Sequence, residues 1–253
     1  MTARRVAFGL WYWPVFFILT VIAGLICLLV SLFSKNASRY ITSQVWAAIV
    51  LNPAAIKVEV IGRENLPAGG GFIIFANHRS LLDIPTVARA TGRSISWVAK
   101  AALGRLPLFG WTLKRSHLLV ERGGGAETTK KTLEEASDRL AQGEIMAIFP
   151  EGTRNKTATP ILPFKKGAFI IAKRASSPLV PLAIVNSGAL WPTGSCLPFS
   201  GRIKAVIGPP IMVDPKTPLA KVTAIASAAL TDLYLKSLES FDQDNAKADQ
   251  TKD

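Results

Sequence analysis

A mixed α/β sheet flanked by helices, carried behind an N-terminal membrane-anchoring helix or helical hairpin, is the fold class this sequence predicts. Three observations lead to it. First, the 29 residues from Val6 to Ser34 carry no charge, and a bilayer core takes roughly 20 apolar residues as helix. Second, the rest of the chain alternates short apolar runs with longer segments of helical periodicity, the pattern of a sheet with helical cover. Third, apolar residues make up 49% of the 253 positions, which excludes a disordered chain and suffices for one sizeable domain.

The apolar run is too long for a cleaved signal peptide, whose apolar region spans ~7–15 residues before a small-residue cleavage site. Cations flank both ends, Arg4 and Arg5 before it, Lys35 and Arg39 after it, so the positive-inside rule leaves its orientation open. Pro14 and Gly24 permit a bend, and a hairpin dipping into one leaflet competes with a single span. Residues 38–51 read as an interfacial helix, with Ile41, Val45, Trp46, Ile49 and Val50 along one side, or as a connector packed on the main domain. Asn52-Pro53 ends that helix. The anchor is therefore assigned to residues 1–52, the main domain to 53–240, and residues 241–253 to a polar, disordered tail.

Strands are predicted at residues 56–61, 72–76, 94–98, 117–120, 145–149, 179–185 and 202–207. Helices are predicted near 81–90, 127–142, 166–175 and 219–238. Phe72-Ile73-Ile74-Phe75-Ala76 is a continuous apolar run, as expected of a strand buried on both faces. Gly143 stands where a left-handed C-terminal cap would close the helix before it.

The formal net charge is +13, and residues 241–253 contribute −2, leaving +15 ahead of them. Such a balance calls for an anionic partner: nucleic acid, anionic lipid or a phosphorylated substrate. The apolar anchor and the lack of a recognised nucleic-acid motif argue against the first. Two cysteines, Cys27 and Cys196, offer no metal spacing and no plausible disulfide, which suits a reducing, cytoplasm-facing compartment. No tightly bound cofactor is expected.

The segment His78-Arg79-Ser80-Leu81-Leu82-Asp83 carries the chemistry. On one continuous helix its two ends would lie about 140° apart, so His78 belongs on the turn after a strand and Asp83 in the first helical turn. Helical side chains lean toward the N-terminus, which lets Asp83 point back at His78. A carboxylate there fixes the imidazole tautomer and stabilises the imidazolium formed on proton uptake. Ser80-x-x-Asp83 equally fits a capping box, which needs no chemistry. A second segment, Phe149-Pro150-Glu151-Gly152-Thr153-Arg154, ends a buried strand at the carboxyl edge of the sheet, where α/β proteins bind ligands. Gly152 allows close backbone approach and Arg154 presents a fork of donors shaped for phosphate. A plain strand-end turn with a solvated arginine is the alternative.

Together these segments resemble the glycerophospholipid acyltransferase family that includes the 1-acylglycerol-3-phosphate acyltransferases. The His-x4-Asp motif corresponds to His78 and Asp83, and the Glu-Gly-Thr-Arg motif to Glu151 to Arg154. Between them, a Lys-x-x-Leu…Pro…Gly stretch corresponds to Lys100, Leu103, Pro107 and Gly110, and an Asp-Arg pair is approximated by Glu121-Arg122. A Pro-centred strand motif corresponds to Val180-Pro181. The similarity runs from about Val58 to Val185. Ala102 replaces a frequently acidic position and Glu121 stands for Asp, departures that blur the acceptor preference. The resemblance implies that His78 is a general base oriented by Asp83. It implies that Arg154, with Lys100 and Arg122, holds an acceptor phosphate in a site shaped by Glu151, Gly152 and Thr153. It further implies acyl-CoA or acyl carrier protein as acyl donor, lysophosphatidic acid as acceptor and the bilayer as surroundings. Another lysolipid acceptor, or a non-catalytic module that binds anionic lipid, are the competing readings. No Gly-x-Ser-x-Gly nucleophile elbow occurs. His117 matches no motif and reads as structural. Lys165-Lys166 and Lys173-Arg174 read as lipid- or carrier-facing or simply solvated, and Trp97, Trp111 and Trp191 as core or interface residues.

Overall fold

The computed structural model describes residues 3–106, 109–121 and 125–250. Helix α1 (Ala3–Phe33) takes up all of the uncharged run but Ser34, 31 residues without a break at Pro14 or Gly24, about 46 Å at 1.5 Å per residue. α1 is long and apolar enough to cross a membrane. Ser34 then turns the chain, its side chain accepting from Ala37 N at 3.1 Å. The return path is α2 (Lys35–Tyr40), a π-helical turn (Ile41–Val45) and α3 (Trp46–Leu51). It runs back along α1: Cys27 Sγ lies 3.2 Å from Ser38 Oγ, and Tyr12 donates to Val50 O at 3.3 Å. The hairpin thus forms with α1 as one arm, rather than within the apolar run.

The strands are β1 (Ile56–Ile61), β2 (Phe72–Ala76), β3 (Ser96–Lys100), β4 (Leu118–Val120), β5 (Ile145–Ile148), β6 (Leu179–Val185) and β7 (Gly201–Ile207). The helices after the return path are α4 (Asp83–Thr91), α5 (Phe109–Ser116), α6 (Ala126–Ala141), α7 (Gly167–Ala175), the short α8 (Ser187–Leu190) and α9 (Leu219–Gln250). Among the described residues the sheet order is β1-β7-β6-β2-β5-β3-β4, parallel throughout except for the antiparallel β6–β7 pair. β2 and β6 are buried at every position, which is why they read as unbroken apolar runs. Pro181 sits inside β6 one residue ahead of the first β6–β7 pair, Leu182 with Ile207, so its missing N–H leaves no ladder bond unmade.

Each sheet face has its own core. One gathers Ile74, Leu182 and Ile203 with Tyr12, Ala47 and Val50; the other gathers Ile73, Phe75 and Met146 with residues of α6, α7 and α9. The described residues ahead of β1 thus contribute to the first core through Tyr12, Ala47, Val50 and Leu51. The outward side of α1 leaves Leu10, Leu29 and Phe33 at 74%, 62% and 90% exposure, an apolar surface suited to a bilayer.

The expected disordered tail is corrected over residues 241–250, where α9 continues to Gln250, while residues 251–253 lie outside the described residues. Phe241 is buried beneath the Arg202 guanidinium, 5.0 Å from its ring centroid, and Lys204 pairs with Asp244 at 2.9 Å. Phe241, Asp244 and Asn245 share one helical face at i, i+3 and i+4 spacing, which a composition dominated by Asp, Gln and Lys conceals.

Candidate active site

β2 delivers the chain to the carboxyl edge of the sheet, and Asn77 fixes where it leaves. The Asn77 side chain donates to Ile184 O at 2.9 Å and accepts from Ile184 N at 2.8 Å, replacing a ladder pair with side-chain bonds. His78 follows on the turn and Asp83 opens α4, as the spacing predicts. Asp83 is fully buried, and its Oδ2 accepts from Arg79 N (2.6 Å), Ser80 N (2.7 Å) and His78 Nδ1 (2.8 Å). Half of the capping-box reading is realised in the bond to Ser80 N, and the same oxygen orients the imidazole. Because Nδ1–H donates to a carboxylate, the lone pair of the neutral ring is on Nε2. The ring stacks on Phe149 with centroids 4.1 Å apart at 14°, which fixes its plane.

The loop after β5 is tied to this turn. Glu151 Oε1 accepts from His78 N at 2.7 Å and Oε2 from Leu162 N at 2.9 Å. Burial pushes the Glu151 carboxyl up, against those two amide bonds. With both oxygens on backbone amides, Glu151 clamps the turn that carries His78 and shapes the site from behind it. Asn155 N donates to His78 O at 2.6 Å, and the Arg79 guanidinium reaches Thr157 O, Thr159 O and Pro160 O at 2.8–3.2 Å. Neither Asn155 nor Arg79 was singled out from the sequence. No local signal marks them, since their partners are carbonyls that any residue supplies.

Gly152 has φ +68, and a β-carbon there would lie 2.8 Å from Lys165 Cδ. The left-handed backbone and the close lysine both favour glycine. A cavity of about 930 Å³ opens beside His78. Its inner wall is apolar, built from Phe16, Ala23 and Gly24 of α1 with Trp46 and Trp97. Lys100, Gly152, Thr153, Arg154 and Lys165 line its solvent side together with Glu121. Arg154 is half-buried and Lys100 exposed; among the described residues neither enters an ion pair. The structure thus brings His78, Gly152, Thr153, Arg154 and Lys100 to one cavity, with Asp83 buried behind His78. Arg122 and Pro107 lie outside the described residues. Gly110 is required sterically, because a β-carbon there would meet Gly104 O at 2.3 Å.

His117 lies at the inner end of the cavity lining, 2% exposed, with Nδ1 accepting from Trp97 N at 3.2 Å. Burial first, and the Arg39 and Arg139 cations second, lower its pKa from 6.5 to about 3. The unfolded chain binds this proton below pH 6.5 while the folded ring stays neutral. Stability is therefore complete above that pH and erodes as pH falls toward the folded value. In His117→Asn, whose amide oxygen keeps the Trp97 bond, the unfolding midpoint should vary less with pH between about 6.5 and 4. Equal slopes for the two proteins would refute this.

The family whose profile fits is Acyltransferase, over residues 57–185, and the chain belongs to that family. Among curated relatives, a 1-acyl-sn-glycerol-3-phosphate acyltransferase of Bacillus subtilis is 34% identical over 156 residues, covering 61% of this chain and 73% of the relative. A chloroplastic protein of the same description from Brassica napus is 30% identical over 179 residues, 70% of this chain and 51% of the relative. The chain spans about half the length of the first such relatives. The crystal structure of the 1-acyl-sn-glycerophosphate acyltransferase from Thermotoga maritima superposes with a TM-score of 0.74 at 23% identity, covering 92% of this chain and 97% of that one. It shares this fold.

Proposed function

We propose that this protein transfers a fatty acyl group from a thioester, acyl-CoA or acyl carrier protein, to the sn-2 hydroxyl of 1-acylglycerol 3-phosphate, giving phosphatidic acid at a membrane surface. The observation that carries the reading is a histidine–aspartate pair whose histidine lines a cavity that also gathers apolar side chains and the cations Lys100, Arg154 and Lys165. His78 Nε2 takes the proton of the acceptor hydroxyl as its oxygen attacks the thioester carbonyl. The new C–O bond forms in that attack, and the tetrahedral intermediate then collapses by re-forming C=O and breaking C–S. A thiol of pKa about 8.5 departs as thiolate without an acid, so one base suffices, and the imidazolium proton passes to the thiolate or to water. Asp83 stabilises that imidazolium throughout. The apolar wall suits an acyl chain, and the cavity falls within the roughly 300–1,000 Å³ typical of sites that enclose a ligand. The catalytic domain is assigned to the cytoplasmic face.

Arg154 supplies the phosphate contact in this reading. Arg154→Ala should lower kcat/KM for 1-acylglycerol 3-phosphate by about 30-fold or more, the lower end of the 2–5 kcal/mol for a lost charged pair, because Arg154 is half-exposed. Turnover with a neutral monoacylglycerol, however slow, should change little. Competition assays with both acceptors and mass spectrometry of the products check this; equal losses on the two would remove Arg154 from phosphate recognition.

A further inference from the structure

The anchor helix reaches the catalytic turn through a tryptophan that lies far from it in sequence. Tyr12 of α1 is fully buried and meets the Trp191 ring edge-on, centroids 6.5 Å apart at 83°, with Trp13 at 6.3 Å and 64°. The same stretch of α1 lies on the loop after Trp191. Arg5 sits 3.7 Å over the Phe199 ring and donates to Leu197 O at 3.4 Å, while a β-carbon on Gly9 would come within 2.9 Å of Leu197 Cδ1. The loop is closed on itself by the Trp191 indole N–H, which donates to Ser195 O at 2.9 Å.

The other end of Trp191 faces the site. Its carbonyl accepts from Ser80 Oγ at 2.9 Å in a fully buried setting. Ser80 Oγ in turn accepts from Leu82 N at 3.3 Å, and Ser80 N donates to Asp83 Oδ2 at 2.7 Å. Two hydrogen bonds therefore separate the residue that α1 packs against from the carboxylate that orients His78. Ser80 has no exposed surface, so its hydroxyl proton has no solvent to turn to if the Trp191 carbonyl shifts.

We propose that Trp191 is a positioning residue for acyl transfer: seating of α1 on the 191–199 loop fixes Ser80 and, through it, the Asp83 carboxylate that aims His78. The helix that holds the protein in the bilayer is by this account also part of the scaffold of the reacting pair. The inference rests on the acyl-transfer reading above.

The test uses the full chain in phosphatidylcholine vesicles, with acyl-CoA and 1-acylglycerol 3-phosphate. Trp191→Ala should lower kcat about 10- to 100-fold, since a misplacement near 1 Å at the reacting groups costs that much. KM for both substrates should stay within about threefold, because Trp191 binds neither. Trp191→Phe, which keeps an aromatic ring against Tyr12, should recover most of the loss. In an Asp83→Asn background Trp191→Ala should cost less than about twofold further, the non-additivity expected of groups acting as a unit. Tyr12→Leu reads the same link from the helix side should Trp191→Ala not fold. A kcat within twofold of wild type, a loss confined to KM, an undiminished loss in the Asp83→Asn background, or losses that only follow lowered unfolding midpoints would each overturn the proposal. A wild-type protein that acylates no lysolipid would overturn the acyl-transfer reading instead.

Discussion

His78→Ala is expected to lower kcat for phosphatidic acid formation by about 10²–10⁴-fold, the range for loss of a positioned general base. The lone pair that accepts the hydroxyl proton is on Nε2, because Nδ1–H is held by Asp83 at 2.8 Å, and alanine leaves nothing in its place. The backbone bonds of this residue, from His78 N to Glu151 and from Asn155 N to His78 O, survive the substitution. The loop beyond β5 should therefore keep its place, and the fold should lose the stacked contact with Phe149, about 0.5–1.5 kcal/mol, and the Nδ1–H bond to Asp83, about 1.5–3 kcal/mol. Single-turnover and steady-state rates on protein of verified unfolding midpoint separate the two effects. Retention of more than a tenth of wild-type kcat would end the assignment of His78 as base.

Asp83→Asn carries the next largest expectation. One carboxylate oxygen accepts three N–H groups, and the other is buried with no partner among the described residues. An asparagine that keeps its oxygen at the three-donor position buries an unpaired amide N–H₂ at the other, which costs about 1–3 kcal/mol. The opposite flip sets donor against donor. Either way the imidazolium loses its counter-charge, and kcat should fall about 10²–10⁴-fold. Acceptor KM should move little, since Asp83 lies beneath His78 and not on the cavity wall. Full kcat below the unfolding temperature would reduce Asp83 to a helix-start residue.

Much of this site is legible in the linear chain because its central geometry is local. The turn from β2 into α4 is short, the helical lean of Asp83 toward its N-terminus is general, and a five-residue separation leaves few ways to join a strand-end histidine to a first-turn carboxylate. The strands were likewise readable where burial on both faces leaves an unbroken apolar run, as in β2 and β6. Less was readable at Glu151: a motif position names the residue, but whether a carboxylate faces a ligand or two backbone amides depends on where His78 N and Leu162 N end up. The same holds for α5, missed because its residues fall in a motif stretch of mixed character, and for the end of α9, where polar composition hides the Phe241 face.

From sequence alone came the apolar helix, the alternation that makes the sheet, and the His78–Asp83 pairing, all set by periodicities and short spacings that each segment carries by itself. Tertiary structure alone decided that α1 walls the cavity, that Glu151 and Arg79 brace the turn, and that Trp191 reaches Ser80. These contacts join positions as far apart as 73, 78 to 81 and 111 residues. Their energetics depend on which groups are desolvated together once the chain has closed, a property no single segment possesses.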